Sequence, residues 1–193
     1  MKQALNKIFW GYILVLVEIH IVAIDILPDP VGYILIVSGA TLLIQDFPVA
    51  KKARNLAVIL IFVSLPTVII QQHIDYFLLG QPSLFHGWSV YSTGLGLVKI
   101  ILVFYIFQLL MSIVKTSGNQ ALLTRTSRTF KVYITIMLAG AITTPFSLNI
   151  AGDELIWLTV LSGIISFIME IVFLVLLRSI RKHGDGSRTV RKW

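Results

Sequence analysis

The sequence predicts an all-α polytopic membrane protein, a bundle of six transmembrane helices, and three observations carry that prediction. Of 193 residues, 56 % are hydrophobic and only 13 % charged, roughly half the charge density with which a soluble domain coats itself. Six apolar runs approach the roughly 20 residues needed to cross about 30 Å of hydrocarbon. Basic residues fall in alternate breaks between those runs. The mean hydropathy of +0.88 agrees, and no segment is long enough for a soluble domain, so residues 1–193 form one integral membrane domain.

The first span, about residues 8–27, follows Met1 to Lys7, which looks like a signal-peptide leader. Glu18, His20 and Asp25 interrupt the apolar run and no small-x-small cleavage site follows, so the span is expected to stay uncleaved. The second, 30–46, holds a short strictly apolar stretch, Val31 to Ile44, and competes with a re-entrant segment. The third (55–72) and fifth (132–151) each contain a proline, Pro66 and Pro145, able to free a backbone carbonyl. The fourth is 87–113 and the sixth 155–177, followed by a basic tail, 178–193; the longest inner loop is Lys115 to Lys131, 17 residues.

Orientation follows from lysine and arginine, which stay on the cytoplasmic side near span ends. With both termini inside, Lys2, Lys7, Lys51, Lys52, Arg54, the basic residues of the 115–131 loop and those of the tail are all inside. That accounts for every basic residue except Lys99, within span four. A second segment that failed to cross would turn Lys51, Lys52 and Arg54 outward and destroy the sorting. The net charge of +7 therefore reads as topology, not as nucleic-acid binding. The tail can attract anionic lipid.

Three ionisable residues lie inside the hydrocarbon: Glu18, Lys99 and Glu170. Each costs at least ~2.5 kcal/mol there and is expected to face protein or water and find a partner. Each also rides on a stripe of small residues: Gly11, Glu18 and Asp25; Ser92, Gly96 and Lys99; Gly163, Ser166 and Glu170. Small residues let helices approach, so the stripes are read as contact faces and Gly94-x-Gly96 as a packing site. Lys99 is expected to be neutralised by Glu18, Glu170 or both, either as an architectural pair or as a proton or substrate site.

The first outer turn reads Asp25-Ile26-Leu27-Pro28-Asp29-Pro30-Val31-Gly32-Tyr33. Pro28 and Pro30 end one helix, Asp29 caps the next, and Tyr33 is expected in the interfacial aromatic belt. This Asp-x-x-Pro-Asp-x-x-Gly-Tyr turn resembles that of small bacterial multi-span membrane proteins of unassigned function, over roughly the first 45 residues from Phe9-Trp10-Gly11 onward. The resemblance implies a bacterial cytoplasmic membrane and no particular activity.

Asp25, Asp29, His73, Asp75, His86, Asp153 and Glu154 would form an acidic outer mouth. His73, Asp75 and His86 lack tight ligand spacing, so no metal is assigned. No cysteine is present, which removes disulfides, thiolate metal sites and cysteine nucleophiles. Esterase, Walker and zinc-protease motifs are absent, and neither a cofactor nor catalytic residues are assigned.

Three functions remain open. A small transporter or substrate-binding subunit fits six spans with polar groups at mid-depth. Size and span count are similar to those of the substrate-binding subunits of energy-coupling-factor importers, whose Ala-x-x-x-Ala contact motif is absent from Leu5 to Leu27. A non-enzymatic partner or immunity subunit, or a homo-oligomer, would use the charges only as architecture. A lipid-modifying enzyme would use Glu18, Glu170 or Asp25 as acid or base, but lacks a visible nucleophile.

Overall fold

The computed structural model describes residues 1–20, 29–67, 82–147 and 153–183. For residues 17–20, 82–89, 143–147, 153–156, 158–159 and 183 the description is confined to the backbone. Six helices carry the described chain, without strands: α1 (Lys2–His20), α2 (Asp29–Thr41), α3 (Val49–Val63), α4 (Pro82–Ser117), α5 (Gln120–Ser147) and α6 (Asp153–His183). Helices in sequence order pack side by side, α6 closes back on α1, and α4 touches α6 across the interior.

Marker contacts give the directions. Arg181 donates to Asn6 while Tyr12 meets Phe173, so α1 and α6 are antiparallel. Lys52 lies over the Tyr105 ring and Tyr91 donates to the Val63 carbonyl, which sets α3 against α4 in the same sense. The described start of α1 and end of α6 therefore share one end of the bundle.

Two kinds of turn make this possible. Between α4 and α5, Gly118 adopts φ 71°, the left-handed geometry that closes helices and costs other residues a Cβ clash. Asn119 then caps α5 through its side-chain oxygen, which accepts from the Leu122 amide at 3.0 Å. The 17-residue inner loop expected at Lys115 to Lys131 is thus a correction: it is a tight turn between two helices that continue past their apolar stretches. Leu122 and Thr126 are buried while Arg125 stays exposed, an amphipathic turn that a hydropathy run does not register.

Pro66 ends α3. It follows a buried Ser64, and the Thr67 amide bonds to the Ser64 carbonyl instead of that of Val63. The Val63 carbonyl is thereby released from the helix ladder, and the Tyr91 hydroxyl of α4 takes it up. Pro145, in contrast, lies within α5, which runs on to Ser147.

The tightest seam joins α1 to α2. A Cβ added at Gly11 would lie 2.6 Å from the Gly32 carbonyl oxygen, and one at Gly39 2.7 Å from that of Ala4. Glycines seven apart on α2 and small residues seven apart on α1 share a helical face, so the two backbones meet along a line. α2 is short: its 13 residues span about 20 Å at 1.5 Å per residue.

The outside of the bundle is apolar. Phe62, Val90 and Trp157 are 66 %, 74 % and 74 % exposed. On α6, Trp157, Leu161, Ile164, Ile168 and Val175 repeat at helical spacing and are exposed together, an unbroken stripe of a kind soluble proteins hide. Among the described residues, two helices, over Val90–Ser117 and Val160–Lys182, are long and apolar enough to cross a membrane.

Candidate functional site

A cavity of about 150 Å³ lies at mid-length among α1, α2, α4, α5 and α6. Its walls are mostly aliphatic, but five polar side chains reach it: Tyr12, Tyr33, Lys99, Tyr133 and Glu170. For scale, a water occupies about 30 Å³ of liquid and a cavity of this size admits a small ring compound.

Lys99 Nζ donates to Asp29 Oδ2 at 2.6 Å. From the sequence, Asp29 falls in the outer turn and is not among the partners expected for Lys99; of the two acids expected, Glu170 forms no ion pair with Lys99, and the Glu18 side chain lies outside the description. The physical reason for the pairing with Asp29 is the shortness of α2: it starts inside the bundle, so its first residue lies level with the middle of α4. A carboxylate in a first helical turn also faces free amides and the positive end of the helix dipole, which favours Asp29 there. Its second oxygen, Oδ1, is buried and has no hydrogen-bond partner among the described residues.

Glu170 has a different partner. Tyr133 Oη donates to its Oε1 at 2.6 Å. Tyr133 and Phe173 pack with Phe107 beneath, at centroid distances of 5.8, 5.5 and 5.0 Å around the three rings, and Tyr12 meets Phe173 edge-on at 4.8 Å. This aromatic floor holds the tyrosine in place, and it gives Glu170 a neutral donor rather than a cation. Lys99 and Glu170 share the cavity without forming an ion pair. With Lys99 matched to Asp29, the described side chains of the ionised site carry one uncompensated negative charge, at Glu170.

The remaining expected residues divide. Gly32 serves the α1–α2 seam. Tyr33 is buried against the cavity rather than set in an interfacial belt. Glu18 and His20 lie on α1 and His86, Asp153 and Glu154 on α4 and α6, with side chains outside the description; Asp25, Pro28, His73 and Asp75 lie outside the described residues. Gly96 and Gly163 are not close-contact positions: a Cβ at either meets nothing within 4 Å. Tyr12 and Tyr133 were missed, although a tyrosine buried in an apolar helix needs a partner for its hydroxyl, and that need was legible.

At the end shared by the termini, Lys2, Asn6, Arg181 and Lys182 border an open concavity. Arg181 donates to Asn6 Oδ1 at 2.6 Å and stacks 4.7 Å over Phe9, while Lys7 donates to Ser38 at 2.7 Å. Against known proteins, the chain matches no family model, no curated protein and no solved structure.

Proposed function

We propose that this chain is a six-span protein of a bacterial cytoplasmic membrane, both termini inside, that binds a small solute in the central cavity as a transporter or substrate-binding subunit. The observation that carries the reading is the meeting of Lys99, Asp29, Glu170 and Tyr133 around or beside one cavity at mid-length. Ionisable groups are costly inside a membrane and mark solute or proton pathways.

The membrane setting is supported by the exposed apolar belt, by the two long apolar helices, and by the basic residues gathered at the end where the described termini meet. The bundle matches the general pattern of solute sites between packed helices near the bilayer midplane. Purification from native membranes in mild detergent, followed by mass spectrometry of co-purifying small molecules and proteins, tests the proposal. A retained solute that is lost in Glu170→Gln supports it. A stoichiometric protein partner and no solute refutes it in favour of an interaction subunit.

A further inference from the structure

A second crevice, of about 270 Å³, lies between α4, α5 and α6. It adjoins the central cavity, with Gly96, Ile100 and Met137 lining both. Away from that junction its walls carry Ser92, Thr93, Ser162 and Ser166, four hydroxyl groups on two helices. It runs toward the end of the bundle opposite the termini, since Ser166 is one turn before Glu170 and Ser92 two turns before Lys99 on helices that descend from that end.

Its hydroxyls and its glycines both bear on what fills it. Several serine and threonine hydroxyls of the chain bond back to their own helix, as Thr41 does to Val37, Ser112 to Gln108 and Thr126 to Leu122. Those of Thr93, Ser162 and Ser166 make no such bond among the described residues. The glycines also behave differently from those of the α1–α2 seam. A Cβ at Gly96 meets nothing within 4 Å, and one at Gly140 meets only the Ser162 hydroxyl, at 3.6 Å. Here glycine leaves space instead of bringing backbones together.

Hydroxyls open to a crevice are hydrated or bonded to a polar solute, because a hydrocarbon filling would leave them unsatisfied at a cost. We propose that the crevice is the aqueous route by which a small cation reaches Glu170 from the end opposite the termini. The step rests on the solute-binding reading above and adds to it the path and the sign of the charge. The sign follows from the pairing: Lys99 is matched by Asp29, and among the described residues Glu170 bonds to a neutral hydroxyl and forms no ion pair.

The absence of native cysteine makes the test direct. Ser162→Cys, Ser166→Cys and Ile164→Cys are treated in whole cells with impermeant methanethiosulfonates carrying either a trimethylammonium or a sulfonate group. Ser162→Cys and Ser166→Cys are expected to react, and Ile164→Cys, 52 % exposed on the apolar face, to stay unreactive until the membrane is dissolved. Adding Glu170→Gln to Ser166→Cys is expected to lower the ammonium-to-sulfonate rate ratio about tenfold, the effect of one nearby unit charge at intermediate dielectric.

Silence of both serine positions, with labelling after denaturation, overturns the route and leaves the solute-binding reading to its own test. Equal labelling of Ile164→Cys overturns the membrane setting and both readings with it. An unchanged rate ratio in Glu170→Gln overturns the cation.

Discussion

Removing Lys99 is expected to harm the protein more than removing its partner, and the structure gives the scale. At 2.6 Å and an effective dielectric constant of about 20, the gross attraction of the pair is roughly 6 kcal/mol. Desolvation of both ions offsets much of this, so the informative quantity is the cost of leaving one charge alone, typically about 3 to 5 kcal/mol for a buried pair. The Asp29 side chain is 4 % exposed and that of Lys99 21 %, at the cavity wall. Lys99→Met strands the more buried ion and should cost about 3 kcal/mol. Asp29→Asn leaves a lysine that borders the cavity and should cost about half as much, by the same reasoning. The double variant should recover about 2 kcal/mol relative to the sum of the singles. Exchange of the two charges should restore less than the double neutral variant, because a lysine at position 29 opposes the dipole at the start of α2. Equilibrium unfolding in mixed micelles titrated with dodecyl sulfate measures all four. Additive single effects, within about 0.5 kcal/mol, would refute the pairing.

The glycines supply a second contrast. Gly11→Ala places a methyl 2.6 Å from a backbone oxygen and should lose about 1 to 3 kcal/mol by overpacking, whereas Gly96→Ala enters open space and should be neutral or gain up to about 1 kcal/mol from helix propensity; the same unfolding assay separates them. Tyr133→Phe removes the donor to Glu170 and should lower stability by about 1 to 3 kcal/mol, with Phe107→Leu as a packing control that leaves the hydrogen bond intact. For topology, Ser83→Cys is expected to react with an impermeant maleimide in whole cells and Ser117→Cys to be protected; the reverse pattern would sink the orientation.

The helical class was legible because apolar runs of this length, with so little charge between them, leave few alternatives. Helix ends were less so. Lys115 to Lys131 reads as a loop when only hydropathy is followed, yet Gly118 and Asn119 form a stop-and-start pair that capping rules recognise. The charged pairing was half legible. That Lys99 needed an acid inside the bundle followed from cost alone; which acid did not. Counting depth along each span assumes helices that begin at one level, and α2 begins partway in. Helical phase likewise identified the stripes on α1, α4 and α6 without saying what faces them. Gly11 on α1 meets a backbone, whereas Ser92 and Gly96 on α4 and Ser166 on α6 border a crevice.

Those two outcomes have a common cause in the lengths of the helices. α1 and α2 are joined along a glycine seam, so the start of α2 is held close against α1, and its first carboxylate is fixed within reach of α4. α4 and α6, at 36 and 31 residues, are about 54 and 46 Å long at 1.5 Å per residue and extend well beyond α2 on the side away from the termini. Toward that end the space between them and α5 is lined in part by serine, threonine and glycine rather than filled. The ion pair then marks the level at which close packing gives way to open space. Its position there is consistent with its energetics: a lysine deeper in the packed half would have no cavity at its side, and an aspartate higher up would lose the buried helix start that stabilises it. Glu170 lies just below the same boundary, one turn from Ser166, tied to Tyr133 and at the wall of the central cavity that the crevice adjoins. A group that must exchange a partner with the outside belongs at such a boundary, and the paired lysine belongs just within it.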